Sequence, residues 1–377
     1  MKEATRAILL LQDGSQFEGK SFGYNGKKTG EVVFNTSLTG YEEIITDPSY
    51  CGQIVIMCYP HIGNYGINLT DAESYGVWIE GLIVKEYSKI YSNYRARISL
   101  ASYLKRKKIV AIEGIDTRAL VKKIRQCGSM KGVIAAGHYS IRDLEAMIRK
   151  MPSICDTDLV ARVNDSPFAV FKKYKGRQVK KRSTVAIIDC GTKLNIIRSL
   201  EEEGFNIRLF RADTKLQNIL DSGDISGVVL SNGPGDPRKA AGAIKLAREL
   251  IKYNERNYLP VMGICLGHQI IGLASGAKTY KLKFGHHGGN HPVKDLRSGK
   301  IEITAQNHNF CVKYDSVKKD YEVTHINLND DTVEGLQHRS LPVASYQYHP
   351  ESCPGPHDSR YIFSDFKELL HGKKKRY

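Results

Sequence analysis

The sequence predicts an α/β protein in which an N-terminal mixed α+β domain precedes an open, mainly parallel sheet with an antiparallel extension. After residue 183, short apolar runs alternate with amphipathic helical patterns, which is typical of a parallel sheet covered on both faces. From residue 301 onwards, strand-like runs follow one another without crossover helices. The first 150 residues instead mix short strands, helices and turns. A chain of 377 residues is long enough for two such domains.

The first predicted domain covers residues 1–152. Asp13 and Gly14 separate two apolar runs and predict a hairpin, because an Asp-Gly pair tolerates the positive φ of a tight turn. Further strands are predicted at EVVFN, QIVIMCY and WIEGLIV. The run IDTRALVKKIRQCG predicts a helix that is capped by Thr117 and ends at Gly128.

Residues 153–182 lose this periodicity and accumulate basic residues, which indicates a linker between domains. Residues 183–377 form the second predicted domain. Four strand–helix pairs are expected there: TVAIID with LNIIRSLEEEG, NIRLF with KLQNILDSG, GVVLS with AIKLARELIKYN, and LPVMGI with LGHQIIGLASG. The runs IEITA, YEVTHI and PVASYQYH predict the antiparallel extension, and SDFKELLHG predicts a closing helix.

Charge and cysteine usage narrow the class of protein. The formal net charge is +16, but the basic runs lie at 104–108, 172–182 and 373–376, where a helix face, a linker and a tail are expected. No nucleic-acid-binding motif accompanies them, so no nucleic-acid partner is predicted. Eight scattered cysteines without a CxxC pair indicate reduced thiols. The first apolar run is too short for a signal peptide, and no window could span a membrane, so a cytoplasmic protein is expected.

In the stretch GICLGHQ, Cys265 is either a buried apolar residue or a nucleophile. Gly263 and Gly267 flank it where the strand LPVMGI would turn into a helix, at the edge of a parallel sheet where ligands bind. A glycine-flanked elbow presents a nucleophile on a strained backbone, and the amino terminus of a helix favours the thiolate. Buried, glycine-flanked strand ends are also common, so the elbow alone leaves both interpretations open.

A base for Cys265 is predicted in YQYHPESCPG. Pro350 favours an extended conformation at His349, and residues two apart in an extended chain face the same side, so Glu351 lies beside the imidazole. A carboxylate there orients the ring, which makes Cys265, His349 and Glu351 a candidate nucleophile, base and orienting group. HPE alone would indicate a turn with a solvated glutamate. The elbow and HPE strengthen each other.

The stretch SNGPGDP follows the strand GVVLS and supplies candidate oxyanion donors. Gly233 and Gly235 let backbone N–H groups approach a ligand, and the amide of Leu266, just past the nucleophile, is the second donor that an elbow provides. In their order and spacing, SNGPGDP, GICLGHQ and HPE resemble the class I (triad) glutamine amidotransferases, which hydrolyse glutamine through a γ-glutamyl thioester.

A narrower resemblance rests on FNTSLTGYEEIITDPSY, YPHIGNYG and GIDTRALVKKIR, together with KFGHHGGNHPV, TAQNHNF and CPGPHD. These stretches resemble the small subunit of carbamoyl-phosphate synthetase over nearly the whole chain. The resemblance implies contacts with L-glutamine from eight residues: Ser49, Gly233, Gly235, Leu266, Gln269, Asn307, Asn309 and Phe310.

Two positions depart from the pattern of that family. Asparagine stands at 309, where glycine is common, and is expected to keep a backbone contact because asparagine tolerates a left-handed conformation. Cys353 stands where a small residue is usual and is expected to be inert.

The histidines His286, His287 and His291 suggest a metal site, but no cysteine or acidic residue lies at ligand spacing in their segment. A hydrogen-bonded loop without metal is therefore expected there.

The resemblance implies a glutaminase that passes ammonia through a tunnel to a large subunit, which makes carbamoyl phosphate from bicarbonate and ATP with magnesium for arginine and pyrimidine synthesis. No Walker A pattern occurs, so no cofactor is expected in this chain, and ATP and Mg belong to the large subunit. The first domain is the expected docking surface for that partner. Two alternatives stay open: a free-standing γ-glutamyl cysteine hydrolase and a non-catalytic regulatory scaffold.

Overall fold

The computed structural model describes residues 5–176, 178–370 and 372. Arg177, within one predicted basic run, and the predicted basic tail at 373–376 lie outside the described residues. None of the helices in the described part of the chain is long and apolar enough to cross a bilayer.

The first half of the chain forms a closed barrel with helices packed against it. Its strands are β1 (Arg6–Leu11), β2 (Gln16–Ser21), β3 (Lys27–Asn35), β4 (Gln53–Met57), β5 (His61–Ile62), β6 (Gly81–Ile83), β7 (Glu86–Tyr87), β8 (Val110–Glu113) and β9 (Met130–Ala136). Its helices are α1 (Tyr41–Thr46), α2 (Leu100–Arg106), α3 (Thr117–Cys127) and α4 (Ile141–Lys150). Seven strands close the barrel in the order β1-β2-β8-β6-β4-β3-β9, while β5 and β7 form a separate parallel pair.

The predicted hairpin is confirmed, since β1 and β2 pair antiparallel across a turn in which Gly14 has φ +86°. The predicted helix corresponds to α3, and Gly128 with φ +93° ends it. The cap assigned to Thr117 is wrong: Asp116 caps the helix by accepting a hydrogen bond from the backbone N–H of Ala119 at 3.0 Å. Thr117 already belongs to the first turn, so its hydroxyl is not placed to cap it.

Residues 153–182 contain two short helices, α5 (Leu159–Asp165) and α6 (Val170–Lys173). Leu159 packs on Cys51 of the first half, whereas Val160 joins the core of the second half. Arg162 reaches Glu80 at 2.6 Å. The segment is therefore folded against both halves, and the domain boundaries drawn at its ends remain a prediction.

The second half is a nine-stranded mixed sheet between two layers of helices. Its strands are β10 (Thr184–Asp189), β11 (Asn206–Arg211), β12 (Ile225–Leu230), β13 (Val261–Ile264), β14 (Thr279–Asp295), β15 (Ile301–Val312), β16 (Tyr321–Asn327), β17 (Val333–His338) and β18 (Val343–Tyr346). Its helices are α7 (Leu194–Glu202), α8 (Leu216–Leu220), α9 (Ala241–Tyr253), α10 (Leu266–Ala274) and α11 (Tyr361–Leu370). The strand order is β11-β10-β12-β13-β18-β17-β16-β14-β15.

Alternation along the parallel strands explains the two layers, because successive side chains point to opposite faces. Ile188 and Leu230 pack with α8, α9 and α10 on one face. Ile187 and Val229 pack with α7 and α11 on the other. The predicted α/β class with a parallel sheet and an antiparallel extension is confirmed.

Two details of the extension differ from the prediction. The strand in PVASYQYH is β18, which runs parallel to β13 and antiparallel to β17, so it joins the two parts of the sheet. The segment HHGGNHP, predicted to be a loop, lies within β14 and pairs with β15. The pairing register shifts between Lys281 and His286 and again between Gly288 and His291. Glycines at such irregularities interrupt the alternation by which a strand is predicted.

Candidate active site

Cys265 occupies the elbow between β13 and α10 in a strained backbone conformation, with φ +51° and ψ −103°. Its backbone N–H donates to the carbonyl of Tyr346 at 2.8 Å, which ties the elbow to β18. A Cβ added at Gly267 would lie 2.1 Å from the carbonyl oxygen of Leu230, so only glycine fits there. Strain of this kind persists where the surrounding structure enforces it, and it is concentrated at functional sites.

His349 follows β18 and is held against β15 by a hydrogen bond from its backbone N–H to the carbonyl of Ala305 at 2.9 Å. Its Nδ1 lies 2.6 Å from Oε1 of Glu351, as the two-residue spacing predicted. The thiol of Cys265 is close enough to this ring to act on its charge, and it also donates to the backbone carbonyl of Asn307 at 3.6 Å. The structure thus brings the three predicted catalytic side chains together.

The electrostatics of this group favour charged forms. Burial opposes a charged imidazolium, but the interactions with Glu351 and Cys265 outweigh it and raise the pKa of His349 to about 10. Burial also opposes ionisation of Glu351, yet Lys193 and His349 outweigh it and lower the pKa of that carboxyl to about 2. A carboxylate facing an imidazolium is the consequence at neutral pH.

Lys193 was missed by sequence reasoning. Its ammonium lies 3.0 Å from Oε1 of Glu351 and also donates to the carbonyl of Ser352. Burial disfavours the ammonium, but Glu351 and Glu73 outweigh it and raise the pKa of Lys193 above its ordinary value. The residue lies just past the carboxyl end of β10, at the same edge of the sheet as Cys265. Functional residues of a parallel sheet collect at this edge, and this rule could have identified Lys193 from the sequence.

Beside Cys265 lies a small pocket lined by seven of the eight residues expected to contact glutamine. These are Ser49, Gly233, Gly235, Gln269, Asn307, Asn309 and Phe310, and two further residues, Gln53 and His308, complete the lining. Leu266 directly follows Cys265, and its side chain is buried in the core. As the first residue of α10, it has a backbone N–H without a partner inside the helix. Gly235 has φ +86°, a conformation that glycine adopts without strain.

Asn309 is an ordinary strand residue of β15 and does not adopt the left-handed conformation invoked for it. His287, which the sequence predicted to lie in a hydrogen-bonded loop, contacts it instead: Nε2 lies 3.0 Å from Oδ1 of Asn309, and Nδ1 lies 2.9 Å from Oδ1 of Asn307. Burial lowers the pKa of His287 to about 4, so the ring is neutral. A neutral histidine therefore braces the strand that forms one wall of the pocket.

The first half of the chain contributes directly to this site. Asp47 accepts from the backbone N–H of Ser49 at 2.8 Å and from the side chain of Asn307 at 2.8 Å. Asn232, next to the SNGPGDP turn, donates to the hydroxyl of Ser49 at 2.8 Å. These buried hydrogen bonds join the barrel to the large sheet at the pocket. Cys353 takes no part in these hydrogen bonds; its φ is +53°, and burial raises the pKa of its thiol to about 12.

Comparison with known proteins agrees with this geometry. Residues 9–134 match the family model "Carbamoyl-phosphate synthase small chain, CPSase domain", and residues 186–369 match "Glutamine amidotransferase class-I". The carbamoyl phosphate synthase small chain of Aquifex aeolicus is 52% identical over 373 residues, covering 97% of this chain and 99% of that protein. The protein of the same name from Chlorobaculum tepidum is 50% identical over 364 residues and covers 97% of each.

Among solved structures, a putative GMP synthase protein of Thermoplasma acidophilum is 22% identical with a TM-score of 0.45, covering 52% of this chain and 96% of its own. An elbow cysteine facing a His–Glu pair in a mixed α/β sheet, together with the domain match, defines a class I glutamine amidotransferase. The family match of the first half, and relatives that are 50–52% identical over 97% of the chain, narrow this class further. The chain belongs to the carbamoyl-phosphate synthase small chain family, and the predicted glutamine-hydrolysing activity is confirmed by that membership.

Proposed function

We propose that Cys265 is the nucleophile, His349 the acid–base group and Glu351 the orienting carboxylate by which this chain hydrolyses L-glutamine for carbamoyl-phosphate synthesis. The observation that carries the proposal is the strained elbow thiol beside an imidazole whose other nitrogen bonds a buried carboxylate at 2.6 Å. A nucleophile, a base and an orienting group in this relation are what acyl transfer requires.

The thiolate attacks the side-chain carbonyl carbon of glutamine, and the backbone N–H groups of Gly235 and Leu266 hold the oxyanion. The His349 imidazolium protonates the departing nitrogen, so ammonia leaves and a thioester remains on Cys265. Neutral His349 then removes a proton from water, and the resulting hydroxide cleaves the thioester. This step releases glutamate and restores the thiolate and the imidazolium.

Glutamine is held by the pocket residues while this happens. We assign this binding to Ser49, Gly233, Gly235, Leu266, Gln269, Asn307, Asn309 and Phe310. Gln269 is itself fixed by hydrogen bonds from its Nε2 to the carbonyl of Phe310 at 2.6 Å and to Oε1 of Gln347 at 3.0 Å. Fixed donors and acceptors hold a substrate without reorganising during the reaction.

A second cavity, which His349 also lines, shares Asn307 with the glutamine pocket, and its lining includes Asn35, Ser37, Glu43, Lys193 and Cys353. We assign the exit of ammonia to this cavity. The cavity extends toward the barrel, which we propose as the docking surface for the large subunit. ATP and magnesium act in that large chain, and the complex works in the cytoplasm. The thioester chemistry on this chain needs no cofactor.

A free-standing γ-glutamyl cysteine hydrolase would not need the first 150 residues. Ser49 and Gln53 line the glutamine pocket, and Asp47 holds Asn307, so the barrel is part of the site. A non-catalytic scaffold would not need an intact Cys265, His349 and Glu351. Both alternatives are therefore less well supported than the amidotransferase function.

The test is Cys265→Ser in the complex reconstituted with a large subunit. Glutamine-dependent synthesis of carbamoyl phosphate should be lost, while ammonia-dependent synthesis persists at the wild-type rate, because the large subunit still accepts free ammonia. Both rates are measured on the same preparation. Loss of both activities together would contradict the division of labour between the chains.

A further inference from the structure

A second cluster of imidazole and carboxylate groups lies behind the glutamine pocket. It consists of His286 on β14, His308 on β15 and Glu334 on β17, all buried. One candidate ligand atom from each residue lies within 4.8 Å of the other two. None of these three side chains has a step in the thioester chemistry.

Two atoms of the cluster are buried without hydrogen bonds. Nε2 of His286 lies 2.9 Å from Oδ2 of Asp330, which leaves Nδ1 on the side of Glu334, 3.9 Å from its Oε1. Neither Nδ1 of His286 nor Oε2 of Glu334 has a hydrogen-bond partner in the part of the chain that the structure describes. A buried polar atom left in this way is destabilising, because it has lost its hydrogen bonds to water without replacing them. Both atoms carry lone pairs that a single cation could satisfy.

His308 presents a conflict of hydrogen-bond roles. Its Nδ1 lies 2.8 Å from the carbonyl oxygen of Phe310, and its Nε2 lies 3.0 Å from Oε1 of Gln306. The amide of Gln306 is oriented by donation from its Nε2 to Oγ1 of Thr304 at 3.2 Å, and that hydroxyl in turn donates to the carbonyl of His291. A neutral imidazole has only one N–H, so it cannot donate to both oxygens.

With Nδ1–H donated to Phe310, the lone pair of Nε2 faces Oε1 of Gln306, and two acceptors stand 3.0 Å apart. A metal ion that accepts both lone pairs removes this conflict.

We propose that His286, His308 and Glu334 bind one divalent cation of the zinc type, with Oε1 of Gln306 as the fourth ligand. Imidazole nitrogens and carboxylate oxygens are ligands that zinc takes in proteins, at about 2.0–2.2 Å. Each histidine ligand donates its other N–H to an acceptor, His286 to Asp330 and His308 to the carbonyl of Phe310, which is how metal-bound histidines are oriented. Binding draws the three side chains closer than their present spacing.

The ion would join three strands of the sheet at the wall of the glutamine pocket. β15 carries Asn307, Asn309 and Phe310, so fixing His308 to β14 and β17 holds this strand in place. The sequence argued against a metal because HHGGNHP contains no acidic residue. The carboxylate ligand comes instead from another strand, β17. The site is independent of the proposed nucleophile, since Cys265 takes no part in it.

The test uses the full-length Cys265→Ser chain, which removes the active-site thiolate as a competing zinc ligand. The metal-free protein is titrated with Zn²⁺ in competition with a chromophoric chelator. One equivalent should bind per chain. Glu334→Gln should weaken binding by more than about 100-fold, because loss of an outer hydrogen-bond partner alone costs about 10–100-fold. Glu302→Gln, a buried glutamate of β15 outside the cluster, is the matched control and should bind as its parent does.

Cobalt gives a second readout, since Co²⁺ in a tetrahedral site should produce visible absorption bands that Glu334→Gln removes. Circular dichroism verifies that each variant is folded; if Glu334→Gln does not fold, Asp330→Asn should show the outer-partner loss of about 10–100-fold. Absence of stoichiometric zinc binding would overturn the proposal. A zinc affinity that neither Glu334→Gln nor Asp330→Asn changes would overturn it as well. A metal-free cluster whose His286 shows the nitrogen shifts of an imidazolium, with no zinc affinity, would overturn it in favour of a bound proton.

Discussion

The buried ammonium of Lys193 neutralises part of the negative charge of Glu351. Replacing one partner of a buried ion pair typically costs about 3–5 kcal/mol, because the other charge stays buried. We predict that Lys193→Met lowers the free energy of unfolding by about 3 kcal/mol and reduces the rate of glutamine hydrolysis, as Glu351 no longer holds His349 in one orientation. Chemical denaturation and a glutaminase assay measure the two effects.

Lys215 is a matched control, because it is also a lysine at the N-cap of a helix, α8, but is exposed. Lys215→Met should change stability by no more than about 0.5 kcal/mol and leave the hydrolysis rate unchanged. Equal effects of the two substitutions would refute a special role for Lys193.

Glu351→Gln tests the electrostatics of His349. Burial lowers the pKa of His349 and the Glu351 carboxylate raises it. Without the carboxylate, the pKa of His349 should therefore fall from about 10. Since the folded pKa is raised, the stability that His349 contributes is present below pH 6.5 and lost as the pH rises toward 10. That loss should shrink in Glu351→Gln. NMR titration of the imidazole and unfolding at several pH values report both effects, with Glu203→Gln, a surface ion-pair partner of Lys367, as the control. An unchanged pKa of His349 would contradict the assigned pairing.

The sequence predicts those site residues whose partners lie near them in the chain or that belong to a motif. Glu351 follows from the two-residue spacing to His349, and Cys265 from its flanking glycines. Lys193 and Glu334 act through residues far away in sequence, so no local spacing reveals them. Asn309 lines the pocket, where the resemblance had placed it, but the left-handed conformation expected for it is wrong, because its backbone is extended and its side chain meets His287.

The elbow between β13 and α10 depends on the absence of side chains where the helix crosses β12. A Cβ at Gly267 would meet the backbone of Leu230, which cannot move aside, and overpacking of this kind costs about 1–3 kcal/mol. We predict that Gly267→Ala destabilises the chain by at least this amount and abolishes glutamine hydrolysis, because the turn that presents Cys265 is displaced.

Gly272 lies in the same helix, but a Cβ there would meet the side chain of Val312 and no backbone, with the nearest methyl at 2.9 Å. Alanine also favours the helix by about 1 kcal/mol over glycine, which offsets the crowding. Gly272→Ala should therefore retain activity and most of its stability. Equal loss in both variants, measured by thermal unfolding and glutaminase assay, would show that crowding at the elbow is not the cause.

The parallel part of the sheet was predictable because its apolar strands alternate regularly with amphipathic helices. β14 was not, since its glycines and register shifts break the period-two pattern. The position of β18 also escaped prediction, because whether a strand pairs in parallel or antiparallel depends on its neighbours in space.

On the scale of the whole molecule, the glutamine pocket belongs to both halves, since Ser49 and Gln53 reach it from the barrel region. With a net charge of +16 on this chain, the proposed large-subunit partner is expected to present an acidic face. We predict that association weakens steeply between about 0.01 M and 1 M salt, as the Debye length falls from roughly 30 Å to 3 Å. Titration calorimetry at several salt concentrations measures this, and an affinity independent of salt would contradict electrostatic docking.

The proposed mechanism requires a γ-glutamyl thioester on Cys265. Acid quenching during turnover of isotopically labelled glutamine, followed by peptide mapping, locates the covalent adduct directly. The label should be found on the peptide that contains Cys265, and it should be absent from Cys265→Ser. Label on another cysteine, such as Cys311, or steady hydrolysis without any label on Cys265, would contradict the account.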